Sequence, residues 1–331
     1  MSVPISASSG NRRHRLNPSI VETTAGLSAG CVATLLLHPL DIIKTRLQVD
    51  TSAHPLLNSS RTVLRDVWRN EGPTRLAALY RGLSVNLIGN SAGWALYFLW
   101  YGQAKDMVRT YRGYTSSQDL TSVDYLVAST GSGALAAVIT NPIWVVKTRM
   151  LSTSATEAGA YPGLIAGLRS ILRKEGPRGY FHGLTPTLAG VSHGSLYFMA
   201  YEKLNKWRRD RREAQGGSGQ LSNMDTIMNS TLSKLWAGTI TYPHQVLRAR
   251  MQTQNLRGAE SPAQPNLSVR ALIRTVWRNE GALGFYKGMF PNLLRVVPST
   301  CITFLVYENV KWGLPLLWNR DSSPGEQALR Q

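Results

Sequence analysis

The sequence predicts an all-α membrane protein, with six transmembrane helices in three tandem repeats of pseudo-threefold symmetry and three short helices on one side of the bilayer. Three observations predict it. Four long stretches lack every charged residue, a motif opening on proline returns about every hundred residues, and the charges gather between and at the ends of the apolar stretches.

Composition bounds the alternatives. The chain has 331 residues, 37 Lys and Arg against 19 Asp and Glu, a formal charge of +18, 43% apolar residues and two cysteines, Cys31 and Cys301. That apolar share is too high for a disordered basic tail. Two cysteines build neither a disulfide scaffold nor a zinc-finger cluster. The charge points to phosphate in some form: nucleic acid, anionic lipid or an anionic small molecule. The mean hydropathy of −0.15 looks soluble only because it averages apolar stretches with polar connectors.

The elements follow in order. Residues 1–18 carry Arg12, Arg13 and Arg15 and no acid, and read as a disordered basic extension. The first repeat, 19–112, holds the charge-free runs 23–40 and 82–104, and the second, 121–209, holds 125–146 and 179–201. A hydrocarbon core about 30 Å thick takes roughly 20 residues of helix, which each run supplies. The third repeat, 222–317, has shorter runs, 235–247 and 296–307, each directly after one charge, Lys234 and Arg295. Reading across those charges restores two spans. Gly, Ala, Ser and Thr are frequent within the runs, and Gly26 and Gly30 make a GxxxG spacing that lets membrane helices approach closely. Residues 318–331 read as a flexible tail.

Self-comparison carries the most information. PLDIIKTRLQ from Pro39, PIWVVKTRML from Pro142 and PHQVLRARMQ from Pro243 align without gaps. Each is followed by WRNEG or LRKEG, ending at Gly72, Gly176 and Gly281, and then by YRG, FHG or YKG, ending at Gly82, Gly183 and Gly288. Each repeat is therefore two apolar helices with a short amphipathic helix between them, over 58–72, 164–176 and 268–281. An even number of spans puts both termini on one side and the short helices on the other. Each proline removes a helix hydrogen bond and kinks its helix, so the odd helices lean together at one end. Internal repeats of this kind commonly place a substrate site at mid-membrane on the repeat interface.

These residues resemble the mitochondrial carrier family, whose signature is Pro-x-(Asp/Glu)-x-x-(Lys/Arg)-x-(Lys/Arg) in three copies. The resemblance implies an inner mitochondrial membrane location, both termini in the intermembrane space, the short helices on the matrix side, and alternating access through a gated central cavity. Trp144 stands where the second repeat's acid belongs, as in the family's carriers of folate, FAD, NAD and pyrimidine nucleotides. The strings GWALYFLWY, VSHGSLYFMAYE and RVVPSTCITFLVYENV are most similar to its FAD and folate branch.

By that resemblance the matrix gate pairs the acid of one odd helix with the base of the next. Asp41 is expected to pair with Lys147, Lys44 to meet Gln245, and Arg248 to face Trp144. Gln48 and Gln252 match glutamines that brace such pairs, and Leu151 does not. The cytoplasmic gate draws on Tyr101 and Lys105, Tyr201 and Glu202, and Tyr307, Glu308 and Lys311. Gly102 takes the acid position in the first set and Asn205 the basic position in the second.

Lys234 and Arg295 are costly inside a bilayer unless they face a wet cavity. Arg295 is the better phosphate ligand, because its planar fork bonds two oxygens. The family's substrate contacts map to Gly89 and Asn90, Ala189 and Gly190, and Arg295, with Trp94 and His193 one turn further. Small residues leave room for a large ligand, and Trp94 offers a face to a flat ring.

No Walker A loop, Rossmann fingerprint, HExxH or nucleophile elbow stands in a supporting context. The expectation is a transporter, not an enzyme, carrying FAD or, as the runner-up, folate or another nucleotide-like anion, with FAD as cargo and no bound cofactor or metal. A basic nucleic-acid-binding protein is the distant alternative; it requires basic residues on interaction faces, whereas here they flank the spans. The expected partners are the anionic solute and an anionic lipid such as cardiolipin, with no nucleic acid, around a monomer.

Overall fold

The computed structural model describes residues 18–51, 62–65, 67, 75–114, 120–157, 160–214, 216, 220–257 and 267–321. The basic extension, most of the first polar segment and the end of the tail lie outside them. Among the described residues no strand occurs. The helices are α1 (Pro18–Val49), α2 (Arg75–Leu79), α3 (Leu83–Arg112), α4 (Ser122–Ser152), α5 (Leu164–Glu175), α6 (Leu184–Ala189), α7 (Ser192–Ala214), α8 (Asn223–Arg257), α9 (Val269–Glu280) and α10 (Met289–Asp321), with 3-10 turns at Pro177–Phe181 and Ala282–Tyr286. Pro39, Pro142 and Pro243 lie inside α1, α4 and α8.

Three stretches, Val21–Val49, Val123–Ser152 and Ala282–Leu314, are apolar and long enough to cross a membrane by composition alone. The spans expected in α3, α7 and α8 mix more small and polar residues among the apolar ones. The run 179–201 is not one helix. It begins in the first 3-10 turn, continues as α6, breaks at Gly190 and Val191, and resumes as α7. The break is built on i→i−3 bonds, Val191 N–H to Leu188 O at 3.1 Å and His193 N–H to Gly190 O at 3.0 Å. Ser192 Oγ donates to Ala189 O at 2.7 Å, a side-chain bond of the sort that competes with the helix ladder, and Gly190 favours a break because glycine costs a helix interior about 1 kcal/mol against alanine. The matching stretches of the first and third repeats are continuous in α3 and α10.

The chain divides into two compact units, Met1–Ala33 with Cys301–Gln331, and Thr34–Thr300. In the smaller unit, Ala25, Ala29 and Ala33 form a buried stripe at four-residue spacing on α1. Lys311 sits over the Tyr307 ring at 5.4 Å and 4.0 Å from Glu22.

In the larger unit the main core joins Ile42, Val67, Val85, Val145, Val146, Leu151 and Ile171. The polar helices enter it by one face only: Gly167 and Ile171 from α5, while Leu272 and Val276 of α9 pack in a second cluster with Leu247 and Phe285. That four-residue spacing is the amphipathic helix expected of the sequence. Within each repeat, the residue before the proline is tied to the loop that leads into the even helix. His38 Nε2 donates to Arg81 O at 2.9 Å, Asn141 Nδ2 to Tyr180 O at 2.6 Å, and the Tyr242 hydroxyl to Lys287 O at 3.0 Å.

The three repeats close on one another in this unit. Gly82, Gly183 and Gly288 adopt left-handed φ of 74°, 73° and 79°, which favours glycine. A Cβ there would fall 2.6 Å from Leu151 Cδ1, 3.0 Å from Arg248 O and 2.8 Å from Lys44 O respectively. Each glycine elbow thus sits on the odd helix of the next repeat, and the third sits on the first. Three arginines repeat the same sense: Arg46 Nε donates to Leu151 O at 3.1 Å, Arg149 Nε to Gln252 O at 2.8 Å, and Arg250 Nε to Gln48 O at 2.9 Å.

Among the described residues, two of these arginines also hold a carboxylate of their own repeat's polar helix. Arg250 grips Glu280 through both Nη atoms at 2.5 and 2.8 Å, with Lys287 Nζ at 2.6 Å. Arg149 grips Glu175 in the same bidentate way, with Asn255 Nδ2 donating at 2.8 Å. Burial alone would raise the Glu175 carboxyl; hydrogen bonds from His182 and Arg149 outweigh it and pull it from 4.5 to about 2.

Candidate functional site

At the proline ends of the odd helices, the larger unit encloses a cavity of about 300 Å³. It is bounded by four basic side chains, Lys44, Lys147, Arg248 and Arg295, and one carboxylate, Asp41. Their placement follows from the sequence. The base three residues after each acid position lies on the same face of its odd helix, just past the proline, and Arg295 arrives from α10.

The contacts between repeats are uneven. Lys44 Nζ donates to Gln245 Oε1 at 2.9 Å, and the Arg248 guanidinium lies over the Trp144 ring at 5.4 Å, the two contacts expected of these residues. The Asp41–Lys147 pairing is corrected. Asp41 Oδ1 instead meets Arg295 Nη1 at 2.7 Å, and Oδ2 accepts from Asn86 Nδ2 at 3.4 Å. Lys147 Nζ lies over the other cation's indole, 4.6 Å from the Trp144 centroid. The physical reason is reach: a long guanidinium on α10 and an amide on α3 take both oxygens of a short acid, while a large π face beside Lys147 offers it a cation–π contact. Gln48 Nε2 donates to the Tyr242 hydroxyl at 3.1 Å. Gln252 Oε1 accepts from Thr148 at 2.6 Å, while its Nε2, in a side chain with 0% exposure, has no partner among the described residues.

Of the residues matched to substrate contact, Gly190, His193 and Arg295 line the cavity. His193 Nδ1 lies 2.8 Å from Thr241 Oγ1. Asn90 stands behind the acid, its Nδ2 donating to Asn86 Oδ1 at 3.2 Å. Gly89 lies against Trp144, where a Cβ would come 3.6 Å from the indole. Ala189, Lys234 and Trp94 are not on the cavity. Lys234 Nζ donates to Thr300 Oγ1 at 3.3 Å, and Trp94, 61% exposed, contacts Tyr97 and Phe98 of its own helix.

Sequence reasoning missed His244, Thr45 and Thr148, all of which line the cavity. Each adjoins a residue already singled out, one place from Gln245, Lys44 and Lys147, so the proline register was a sufficient signal. It also missed an equivalence. Gly89, Gly190 and Arg295 each stand seven residues past an elbow glycine. Gly89 faces Trp144 and Gly190 faces His244, whose Nε2 lies 2.5 Å from where a Cβ would sit, whereas Arg295 faces Asp41.

Lys105, Tyr101 and Tyr201, expected at the opposite mouth, contact rings of their own helices. Lys105 Nζ lies 4.9 Å over Tyr101, which stacks on Tyr97, and Tyr201 stacks on Tyr197. Glu202 and Glu308 follow their tyrosines on the helix. Asn205, in the basic position of the second repeat, is buried and accepts from Asn229 Nδ2 at 2.7 Å.

Known proteins resemble this chain in sequence. The family model described as "Mitochondrial carrier protein" matches residues 17–112, 118–212 and 219–315. The chain is 39% identical over 314 residues to the mitochondrial FAD carrier protein FLX1 of Saccharomyces cerevisiae, covering 91% of this chain and 99% of that protein. It is 38% identical to the chloroplastic folate transporter 1 of Arabidopsis thaliana, over 87% of this chain and 93% of that one. It is 37% identical to the mitochondrial nicotinamide adenine dinucleotide transporter 2 of the same plant, over 86% and 77%.

Proposed function

The chain belongs to the mitochondrial carrier protein family, and we propose that it carries FAD across the mitochondrial inner membrane by alternating access. The observation that carries this reading is the cavity, where four basic side chains surround a single carboxylate. Such a site favours a multiply charged anion, and phosphate groups suit it because guanidinium forks match their oxygens. The 39% identity to a protein named for FAD supports the choice among anions.

At about 300 Å³ the cavity is at the small end of ligand pockets, which run roughly 300–1,000 Å³, so it takes part of a dinucleotide. We assign it the diphosphate. Arg295 offers a fork, and Lys147 and Arg248, shared by one indole, offer charge. Asp41, Lys44, Trp144, Lys147, Gln245 and Arg248, with Gln48 and Gln252 as braces, form the matrix gate; the tyrosine, acid and lysine sets on the even helices form the cytoplasmic one. Both termini face the intermembrane space, an anionic lipid such as cardiolipin meets the matrix-side helices, and the chain works as a monomer without chemistry on its cargo.

Uptake of labelled FAD, folate, NAD and pyrimidine nucleotides into liposomes holding the purified protein tests the reading. Saturable FAD uptake above protein-free liposomes is expected. Transport of another of these with none of FAD overturns the choice of cargo.

A further inference from the structure

Lys234 is a charged residue of α8 that takes no part in the cavity or in the frame of the repeats. Its position excludes a lipid-facing role. Leu232, Trp236 and Ile240 are the exposed apolar side chains around it, and each points about 120° or more away from Lys234 at about 100° per residue. Thr241, Gln245 and Arg248, at seven, eleven and fourteen places on, point within about 40° of it. Gln245 and Arg248 line the cavity, and Thr241 reaches His193, which lines it too. Lys234 therefore stands on the cavity-facing stripe of α8, about 16 Å along the axis before Gln245 and away from the proline end.

Its ammonium has a poor match there. Lys234 Nζ donates to Thr300 Oγ1 at 3.3 Å, and that hydroxyl already donates to Val296 O at 3.0 Å, so it offers a lone pair and no charge. No carboxylate pairs with Lys234 among the described residues. Arg295, which also interrupts a charge-free run, has its counter-charge in Asp41. An ammonium carries three donors, of which Thr300 takes one. A half-buried cation in a spanning helix, facing a hydroxyl alone, is costly unless it serves an anion. A phosphate group outcompetes the hydroxyl, because a hydrogen bond to a charged acceptor is about twice as strong as a neutral one.

We propose that Lys234 is a second anion station, where an anionic group of the cargo takes the ammonium from Thr300 before it reaches the four basic side chains of the cavity. The inference rests on the carrier reading and adds a stopping place on the cargo's path. The step from station to cavity is short. Thr300 lies five positions past Arg295 on α10, about 7 Å of axis, and five positions turn the helix to another face. An ammonium is a compact point charge without the geometric demands of a guanidinium fork, which suits capture, while the forks of Arg248 and Arg295 suit selection.

Inorganic pyrophosphate, titrated by calorimetry onto the purified full chain in a non-ionic detergent that brings no phosphate of its own, tests the station. The wild type is expected to bind in two classes, with Kd values about tenfold or more apart. Lys234→Gln should abolish the weaker class and leave the tighter Kd within about twofold, while Lys147→Gln should weaken the tighter class alone. Thr300→Val separates capture from structure, since it removes the holder and keeps the cation; the weaker class should persist or tighten. A single class in the wild type, a weaker class that survives Lys234→Gln, or one lost in Thr300→Val beside an intact thermal transition overturns the station. Lys234→Met, apolar and of similar length, gives the same reading if the glutamine variant fails to fold. In uptake, Lys234→Gln should cut kcat/KM about tenfold and leave kcat within about twofold, because a high cargo concentration bypasses a capture step. An unchanged kcat/KM, or a fall in kcat, overturns the station as well. Since pyrophosphate is independent of the cargo's identity, two classes beside failed FAD uptake overturn the choice of cargo alone, and FAD uptake beside a single class overturns the station alone.

Discussion

Two rings of basic residues lie two positions apart on the same three helices, and their surroundings are opposite. Lys44, Lys147 and Arg248 face the cavity and touch a glutamine or an indole. Arg46, Arg149 and Arg250 turn away from the cavity, where each reaches a carbonyl of the next repeat, and, among the described residues, the last two also grip Glu175 and Glu280. A helix advances about 100° per residue, so two positions turn a side chain from one face to another. The signature thus divides its labour: one ring fixes the frame, the other stays weakly committed and available to an anion.

The largest effect that tests this division should come from the framing ring. Arg250→Gln leaves Glu280 buried with Lys287 alone, and loss of one partner of a buried pair costs about 3–5 kcal/mol. A clear fall in the thermal transition in detergent is expected; an unchanged transition breaks the comparison. Acid should reach the same frame. Glu175 titrates near 2 in the folded chain against an ordinary 4.5, so its stabilisation is complete above about 4.5 and lost as pH falls towards 2. The stability gap between wild type and Glu175→Gln should therefore narrow below pH 4.5, by up to about 3 kcal/mol, and a gap constant from pH 7 to 3 counts against the assignment.

Gly288→Ala asks the elbow to accept a Cβ at φ 79°, 2.8 Å from Lys44 O. Strain of this kind costs about 1–3 kcal/mol and should show as a lower transition temperature, with Gly93→Ala, which has open space, as the neutral control. The smallest stability effect belongs to the cavity ring. Lys147→Gln should leave the thermal transition within a few degrees of wild type while cutting anion uptake about tenfold, roughly 1.4 kcal/mol. If it unfolds the chain instead, the two rings do not differ.

Much of this was legible in the sequence because it is periodic. The prolines fixed the register of α1, α4 and α8, the charge-free runs fixed most of the spans, and Lys44 with Gln245 and Arg248 with Trp144 follow from that register. Asp41 is different. Its choice of Arg295 over Lys147 depends on side-chain length across a seam between residues 254 positions apart, which no local pattern encodes. The break at Gly190 was hidden too, since absence of charge marks an apolar run without saying whether its hydrogen bonds continue. Trp94 looked like a ring-binding face by composition, but the cavity took its indole from Trp144, on an odd helix.

The seams also differ in when they can exist. The arginine bonds that join the first repeat to the second and the second to the third link residues 105 and 103 apart, but the bond from Arg250 to Gln48 spans 202. During synthesis the first two joints can form as soon as each new repeat emerges, while the last must wait for nearly the whole chain and closes the longest loop. A nascent chain halted after its second repeat therefore presents an unclaimed Gln48 carbonyl and an odd helix with no elbow seated on it, and the ring is finished by its youngest part.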